Sequence, residues 1–352
     1  MKTYVLKYED YDVVLKPTLN LKKVYLEITG ICNYECAFCF RNFFEDPLSH
    51  MPVEVFYKVL ENLKRLPYLE CIVLGGIGEP LCHPEFLRFL KEVKTLGKPV
   101  IITTNGSLLK KEVLECLDSR DKLIVSFEKG RMGHFNKSRG FTDFVKGLTQ
   151  SFSSQLAIQW ILTKENVKEL EGVLTELYNS GVKEVILSNL LPTSKELESQ
   201  ALWKEPEVFA LQLEALWKRF RSKLRLQIPT LHPLTERHCQ FVETKSLVVR
   251  WDGEVAPCYR FLHTGRECIL GGVKKVKAFS FGNILKNSLE EVWTSFNYSA
   301  FRYRVKNALF PSCWDCKFRE GCQFLEDTLL DCWGNSPSCA DCLWWRGVLT
   351  CP

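Results

Sequence analysis

The stretch Cys32-Asn33-Tyr34-Glu35-Cys36-Ala37-Phe38-Cys39 decides the reading of this 352-residue chain. Three thiols at C-x3-C-x2-C spacing fill three corners of an iron–sulfur cubane and leave one iron open for chemistry. A buried electron-transfer cluster takes four cysteine thiolates, and a structural zinc site takes four Cys/His ligands. A short loop can curl three sulfurs round one cluster where a strand would splay them. The preceding run Val24-Tyr25-Leu26-Glu27-Ile28-Thr29 alternates and is rich in β-formers, and Gly30 breaks it. The cysteines therefore begin just past the C-terminal end of a strand, the edge at which parallel sheets and α/β barrels place their active sites. The bland alternatives are three loop thiols used for packing and a zinc knuckle that lacks one ligand.

These residues resemble the signature of radical S-adenosylmethionine (SAM) enzymes, C-x3-C-Φ-C, with aromatic Phe38 before the last cysteine. The resemblance implies a [4Fe-4S] cluster on Cys32, Cys36 and Cys39 whose open iron binds SAM through the methionine amino and carboxylate groups. An electron from the reduced cluster would then break the sulfonium C–S bond and release a 5′-deoxyadenosyl radical. No candidate general base stands out, since the radical itself removes hydrogen and the cofactor carries the hard chemistry.

The rest of the chain bounds this reading. Its 47 basic and 42 acidic residues leave +5 with no sustained basic run, so neither nucleic-acid nor membrane-surface binding is indicated. Met1 leads into charged alternation without an apolar signal segment, no stretch reaches bilayer length, and a cytoplasmic protein is expected. Sixteen cysteines then favour metal clusters over disulfides. Ten of them crowd between Cys239 and Cys351, so composition breaks near residue 230. The expected organisation is an N-terminal hairpin extension (1–20), a first domain (21–230) and a small cysteine-rich, metal-cluster-binding domain (231–352).

Within the first domain, short β-rich runs alternate with amphipathic helical segments, an α/β pattern that argues for βα units and a parallel sheet. Six strands are expected, at 24–29, 71–74, 99–103, 123–126, 156–162 and 184–188, with helices such as 53–66, 85–96 and 167–178. Six units match the partial (βα)6 barrel that the resemblance implies, although the pattern also permits a doubly wound open sheet.

Residues just after each strand are the candidate cofactor contacts. Gly75-Gly76-Ile77-Gly78-Glu79-Pro80 resembles the family's Gly-Gly-Glu segment, which meets the SAM amino group, with Gly78 and Glu79 best in register. Thr103-Thr104-Asn105 and Ser126-Phe127-Glu128 stand where the family meets the ribose and the methionine carboxylate, which points to Asn105 and Ser126. Trp160 to Thr163 and Ser188 to Pro192 would line the adenine and substrate cavity. For each taken singly, helix capping and loop hydrogen bonding explain the residues as well.

In the last third, Ser246 to Trp251, an Asp252-Gly253 turn and Glu254 to Pro257 make a hairpin signal that carries Cys258 back toward Cys239. The order Cys239, Cys258, Cys313-x2-Cys316-x5-Cys322, Cys332, Cys339, Cys342, Cys351 resembles the SPASM domain, the auxiliary-cluster extension of radical SAM enzymes that modify peptides, proteins and cofactors. The resemblance implies one or two auxiliary [4Fe-4S] clusters. Cys239 and Cys258 would join the first, most simply with Cys332. Cys313, Cys316 and Cys322 would join the second with a cysteine near the C-terminus. The places of Cys268, Cys332, Cys339, Cys342 and Cys351 stay open. A four-thiolate zinc site from Cys313-x2-Cys316 and Cys339-x2-Cys342 is the alternative.

The tail, Asp331 to Trp345, together with the N-terminal block and overall length, resembles the radical SAM maturases associated with tungsten-containing aldehyde:ferredoxin oxidoreductases. That implies a pterin-based tungsten cofactor, or the oxidoreductase carrying it, as substrate and a low-potential electron donor such as a ferredoxin. Two rivals are a peptide- or protein-modifying SPASM maturase and a non-enzymatic iron–sulfur or zinc protein.

Overall fold

The computed structural model describes residues 2–8, 10–128, 141–152 and 155–350. Its strands are β1 Tyr4–Tyr8, β2 Tyr11–Leu15, β3 Lys23–Leu26, β4 Cys71–Leu74, β5 Val100–Thr104, β6 Lys122–Phe127, β7 Leu156–Leu162, β8 Glu184–Asn189, β9 Arg225–Gln227, β10 Ser246–Val249, β11 Val255–Ala256, β12 Gly265–Ile269 and β13 Gly272–Val276. The helices are α1 Val53–Lys64, α2 Phe86–Lys94, α3 Lys111–Glu115, α4 Phe141–Ser151, α5 Leu170–Asn179, α6 Lys195–Gln200, α7 Pro206–Phe220, α8 Gln240–Glu243, α9 Leu289–Trp293 and α10 Phe296–Lys306.

Nine strands form one sheet in the order β11-β10-β3-β4-β5-β6-β7-β8-β9. Every pairing from β10 to β9 is parallel, and only β11 runs antiparallel, against β10. Strands β9 and β11 are its two edges among the described residues, so the sheet is open rather than a closed barrel. The six expected strands stand at its centre within a few residues of their expected bounds. β3 stops at Leu26, three residues early, because beyond the last ladder bond, Glu27 N–H to Val249 O, Ile28 to Gly30 pair with Ser49 to Met51 instead, and Thr29 Oγ1 accepts from the Ile31 amide to begin the cysteine loop.

Side-chain alternation divides the sheet into two faces. Val24, Leu26, Ile72, Leu74, Val100 and Ile102 face the helices, where they meet the apolar stripe of α1 (Val55, Phe56, Val59, Leu60, Leu63). Phe56 and Phe89 stack at 3.8 Å to lock α1 on α2. Each of these fully buried side chains contributes roughly 1.5–3 kcal/mol relative to exposure, so the helical face dominates the core. Tyr25 and Val73 point the other way, as do Ile101, Ile124, Ala157 and Ile186. On that second face the C-terminal third supplies the cover: Phe241, Val248, Tyr259 and Leu262 pack on Tyr25 and Val73.

The N-terminal hairpin β1–β2 reaches the last helices. Tyr4 Oη donates to the Thr294 carbonyl at 3.0 Å, and Trp293 Nε1 donates to Thr18 O and Asn20 Oδ1, each at 3.1 Å. Helix α9 begins with a capping box between Ser288 and Glu291, two orphan end groups satisfied reciprocally. Among the described residues no helix is long and apolar enough to cross a membrane.

Candidate functional site

The thiols of Cys32, Cys36 and Cys39 are half-buried on a loop that opens where β3 ends, with Phe38 half-buried among them. Local hydrogen bonds curl the loop: Cys39 N–H donates to Cys36 O (3.0 Å), Arg41 Nη2 to Tyr34 O (2.9 Å) and Asn42 Nδ2 to Cys36 O (2.8 Å). The Tyr34 amide donates to Cys32 Sγ at 3.4 Å. Burial pushes the Cys32 thiol up, and Glu79 and then Cys39 add to the rise.

The glycine segment after β4 lies against this loop. A Cβ on Gly78 would overlap the Thr29 carbonyl oxygen and lie 2.6 Å from the Ile31 carbonyl oxygen, so only glycine lets the two backbones touch. Glu79 is 2% exposed and anchors three elements. Its amide donates to Ile31 O (2.9 Å), and its carboxylate accepts from Leu81 N (3.1 Å), Thr104 Oγ1 (2.7 Å) and Asn105 N (2.6 Å). Burial, the larger influence, raises the Glu79 carboxyl above its ordinary range while these donors pull it back. Asn105 Nδ2 reaches Asn33 Oδ1 (3.0 Å) and Cys32 Sγ (3.9 Å), and its Oδ1 accepts from Ser107.

Two residues beyond Val73, Ile101, Ile124, Ala157 and Ile186, strand alternation puts Gly75, Thr103, Ser126, Gln159 and Ser188 on the same face as a staggered polar patch, in which Ser126 stands opposite Gln159 while Thr103 stands opposite Ile124 and Gln159 opposite Ile186. Ser126 is exposed there, and Gln159 Nε2 donates to buried Ser188 Oγ at 3.1 Å. Glu27 extends the patch beyond Tyr25, fully buried and 2.8 Å from His263 Nε2. Gln159 and Glu27 went unnoticed in the sequence, although the Ala157/Gln159 and Tyr25/Glu27 alternation signals both. After β6, burial and then neighbouring Cys39 raise the Glu128 carboxyl.

In the C-terminal third the structure brings Cys239 and Cys258 together with Cys339 and Cys342, in one apolar pocket with Phe241, Phe261, Tyr298 and Trp345. Burial pushes Cys239 up to about 12 and Cys258, Cys339 and Cys342 upward too, and the first three are raised further by thiols of the same group. Cys332 is not with them. It is exposed, and its thiol is raised by burial, by Asp331 and then by Cys322 and Cys316, while Cys313 in turn feels Cys332. Cys313, Cys316, Cys322 and Cys332 all lie outside that pocket, and Cys322 lines a separate cleft with Lys274 and Asp341. Cys268 joins neither and donates to Glu198 Oε2 at 3.5 Å. Cys351 lies outside the described residues.

Four thiols in an apolar pocket, those of Cys339 and Cys342 on buried residues and those of Cys239 and Cys258 on half-buried ones, fit a group that binds them as thiolates, because a metal removes the charge that burial penalises. Either an iron–sulfur cluster or a zinc ion could use such thiolates. Tetrahedral zinc at about 2.3 Å from each sulfur demands close packing of ligands, whereas a cubane carries its thiolates on separate irons, farther apart.

Comparison with known proteins agrees with this geometry. Residues 26–131 match the model of the radical SAM superfamily, and residues 239–317 match SPASM, an iron–sulfur cluster-binding domain. The chain is 40% identical over 348 residues to the tungsten-containing aldehyde ferredoxin oxidoreductase cofactor-modifying protein of Pyrococcus furiosus, covering 94% of this chain and 97% of that protein. The chain belongs to the radical SAM superfamily. As a radical SAM/SPASM enzyme it is also similar, at 24% identity over 76% of its length, to the Bacillus subtilis antilisterial bacteriocin subtilosin biosynthesis protein AlbA, of which it spans 58%. Its fold resembles that of anSMEcpe with bound AdoMet and Cp18Cys peptide (TM-score 0.61, 18% identity, 86% of this chain and 88% of that one). It also resembles Streptococcus suis SuiB bound to precursor peptide SuiA (0.60, 16%, 87% and 71%).

Proposed function

We propose that this enzyme cleaves SAM reductively at a [4Fe-4S] cluster on Cys32, Cys36 and Cys39, and uses the radical to modify a pterin-based tungsten cofactor or the oxidoreductase that carries it. The single observation that carries the reaction is the three-thiol loop seated on Gly78 at the strand edge, on the sheet face that carries Thr103, Ser126, Gln159 and Ser188. When bound, the cluster and SAM together supply a 5′-deoxyadenosyl radical that abstracts hydrogen from a substrate. In this reading Glu79 fixes the ends of β4 and β5 against the cysteine loop, and Asn105 steadies Cys32. Phe38, Gly78 and Ser126 border the SAM site, with Ser188 deeper beside Gln159. The tungsten substrate is supported by the 40% identity that runs over 97% of the Pyrococcus furiosus relative.

The Cys239, Cys258, Cys339, Cys342 group would hold one auxiliary cluster and the Cys313, Cys316, Cys322, Cys332 group another, supplied with electrons by a low-potential carrier of ferredoxin type. Peptide modification is the second reading, favoured by the AlbA similarity, which is weaker in identity and in the share of the relative covered.

Anaerobically reconstituted protein given dithionite and SAM should yield 5′-deoxyadenosine by mass spectrometry, and Cys36→Ala should yield none. Protein that holds its full iron yet makes no product would sink the radical reading. About twelve irons per chain are expected for three cubanes, against about four plus zinc for a structural-metal C-terminal domain. For the substrate, purified tungsten oxidoreductase and its extracted cofactor should change mass on turnover, whereas change only in a short precursor peptide favours the second reading.

A further inference from the structure

A continuous chain of buried charges runs between the two C-terminal cysteine groups. Arg260, two residues after Cys258, lines the pocket of Cys239, Cys258, Cys339 and Cys342. Its guanidinium donates to the Glu267 carboxylate at 2.8–3.1 Å, and its Nη2 donates to Asp341 Oδ1 at 3.0 Å. The other oxygen, Asp341 Oδ2, accepts from Lys274 Nζ at 3.0 Å. Lys274 and Asp341 in turn line an open cleft of about 640 Å³ together with Cys322 of the second group. All four charged side chains are no more than 4% exposed.

Two cations and two carboxylates cancel, so the quartet can exist inside the protein. Burying it is nevertheless a poor way to gain stability, because desolvation offsets most of the Coulomb attraction and apolar side chains of equal volume do as well. Its placement gives it another use. Asp341 lies in sequence between Cys339 and Cys342 and bonds to one cation on each side, one facing each thiol group.

We infer that Arg260, Asp341 and Lys274 form a shared electrostatic control on two auxiliary clusters. Asp341 lowers the reduction potential of both, Arg260 raises that of the Cys239 group and Lys274 raises that of the Cys313 group. The inference rests on the reading above that each group holds a cluster. Reduction adds one negative charge to a cluster, which a nearby cation favours and a nearby anion opposes, and the opposition is strong where water is excluded. Asp341 and Lys274 share the lining of the cleft with Cys322, and the Cys313 amide donates to the carbonyl of Ala340, the residue before Asp341, at 3.4 Å. Neither cluster can then be tuned through Asp341 without the other.

The test is an EPR-monitored redox titration of full-length, reconstituted protein, with Cys316→Ala assigning the signal of the second group by its loss. In Asp341→Asn both auxiliary signals should move to higher potential. A tenfold change in the reduced-to-oxidised ratio at fixed potential, about 59 mV for a one-electron couple, is the expected scale. In Lys274→Gln the signal of the Cys313 group should move to lower potential by a similar factor while the other stays in place, and Lys274→Arg should restore it. Movement of one signal or neither in Asp341→Asn at full iron content, or equal movement of both in Lys274→Gln, overturns the inference. Should Asp341→Asn fail to fold, the two Lys274 variants decide it. Wild-type protein lacking auxiliary signals and their iron would overturn the cluster reading itself, and that failure is seen before any variant is made.

Discussion

The Tyr259 hydroxyl donates a hydrogen bond to the Gly75 carbonyl oxygen at 3.2 Å, and the Tyr259 ring lies against Gly76. Both glycines sit at positive φ, +139° and +132°, where other residues are strained. Tyr259 directly follows Cys258, and its ring also packs on Tyr25 at 5.2 Å and Phe241 at 5.7 Å. A residue next to one cysteine group thus braces the glycine turn that carries Gly78 and Glu79 to the cysteine loop.

Gly78→Ala should separate the loop from its support. The new Cβ would press on two backbone carbonyls, Thr29 and Ile31, which cannot rotate away as a side chain could. The expected result is loss of about four irons, the content of one cubane, together with all 5′-deoxyadenosine, while auxiliary iron stays. Tyr259→Phe removes only the hydroxyl, which should lower stability by about 1 kcal/mol in denaturant titration and leave iron content unchanged.

The two C-terminal thiol groups should respond differently to the same substitution. Cys316 is exposed and Cys339 buried, so Cys316→Ala loses iron from a surface site and Cys339→Ala also leaves a hole in an apolar pocket beside buried Cys342 and half-buried Cys239 and Cys258. Each should lose about four irons, but only Cys339→Ala should lower the midpoint of thermal unfolding markedly, by the cost of leaving buried groups without partners. Equal melting curves would contradict the grouping.

Asn105 makes an N–H···S contact with Cys32, and hydrogen bonds to a cluster sulfur raise its potential. Asn105→Ala should therefore make the first cluster harder to reduce, seen as a lower midpoint in EPR titration and slower SAM cleavage at fixed dithionite. An unchanged midpoint would reduce Asn105 to a spacer.

The central strands and the cysteine loop were legible because each rests on local pattern: period-two alternation, a glycine break, fixed thiol spacing. What was not legible rests on contacts far apart in sequence. Ser246-Leu247-Val248-Val249 reads as one arm of a hairpin, which it is, but all four residues are buried and the strand also pairs in parallel with β3. A continuous apolar run is the mark of a strand covered on both faces, so the signal was present without naming its partner. The gathering of Cys339 and Cys342 with Cys239 and Cys258 in one pocket had no local signal, since spacing alone permits every combination. Glu27 looked like one polar residue in a strand until His263, 236 positions away, was brought against it.

That Glu27–His263 pair carries the pH dependence to look for. Burial raises the folded-state pKa of Glu27 above its ordinary value of 4.5, more than His263 and Arg250 lower it. The folded state then holds a proton that the unfolded state has released. Stability from this group is complete below about pH 4.5 and declines as pH rises through the window up to the raised folded value. Glu27→Gln keeps an uncharged acceptor for His263 and cannot release a proton. Its melting temperature relative to wild type should climb as pH rises above about 4.5 through the raised folded value, beyond which the wild type bears the cost of a buried carboxylate. A difference that stays flat, or falls as pH rises, would mean that His263 holds the carboxylate charged throughout and that burial is not the stronger influence.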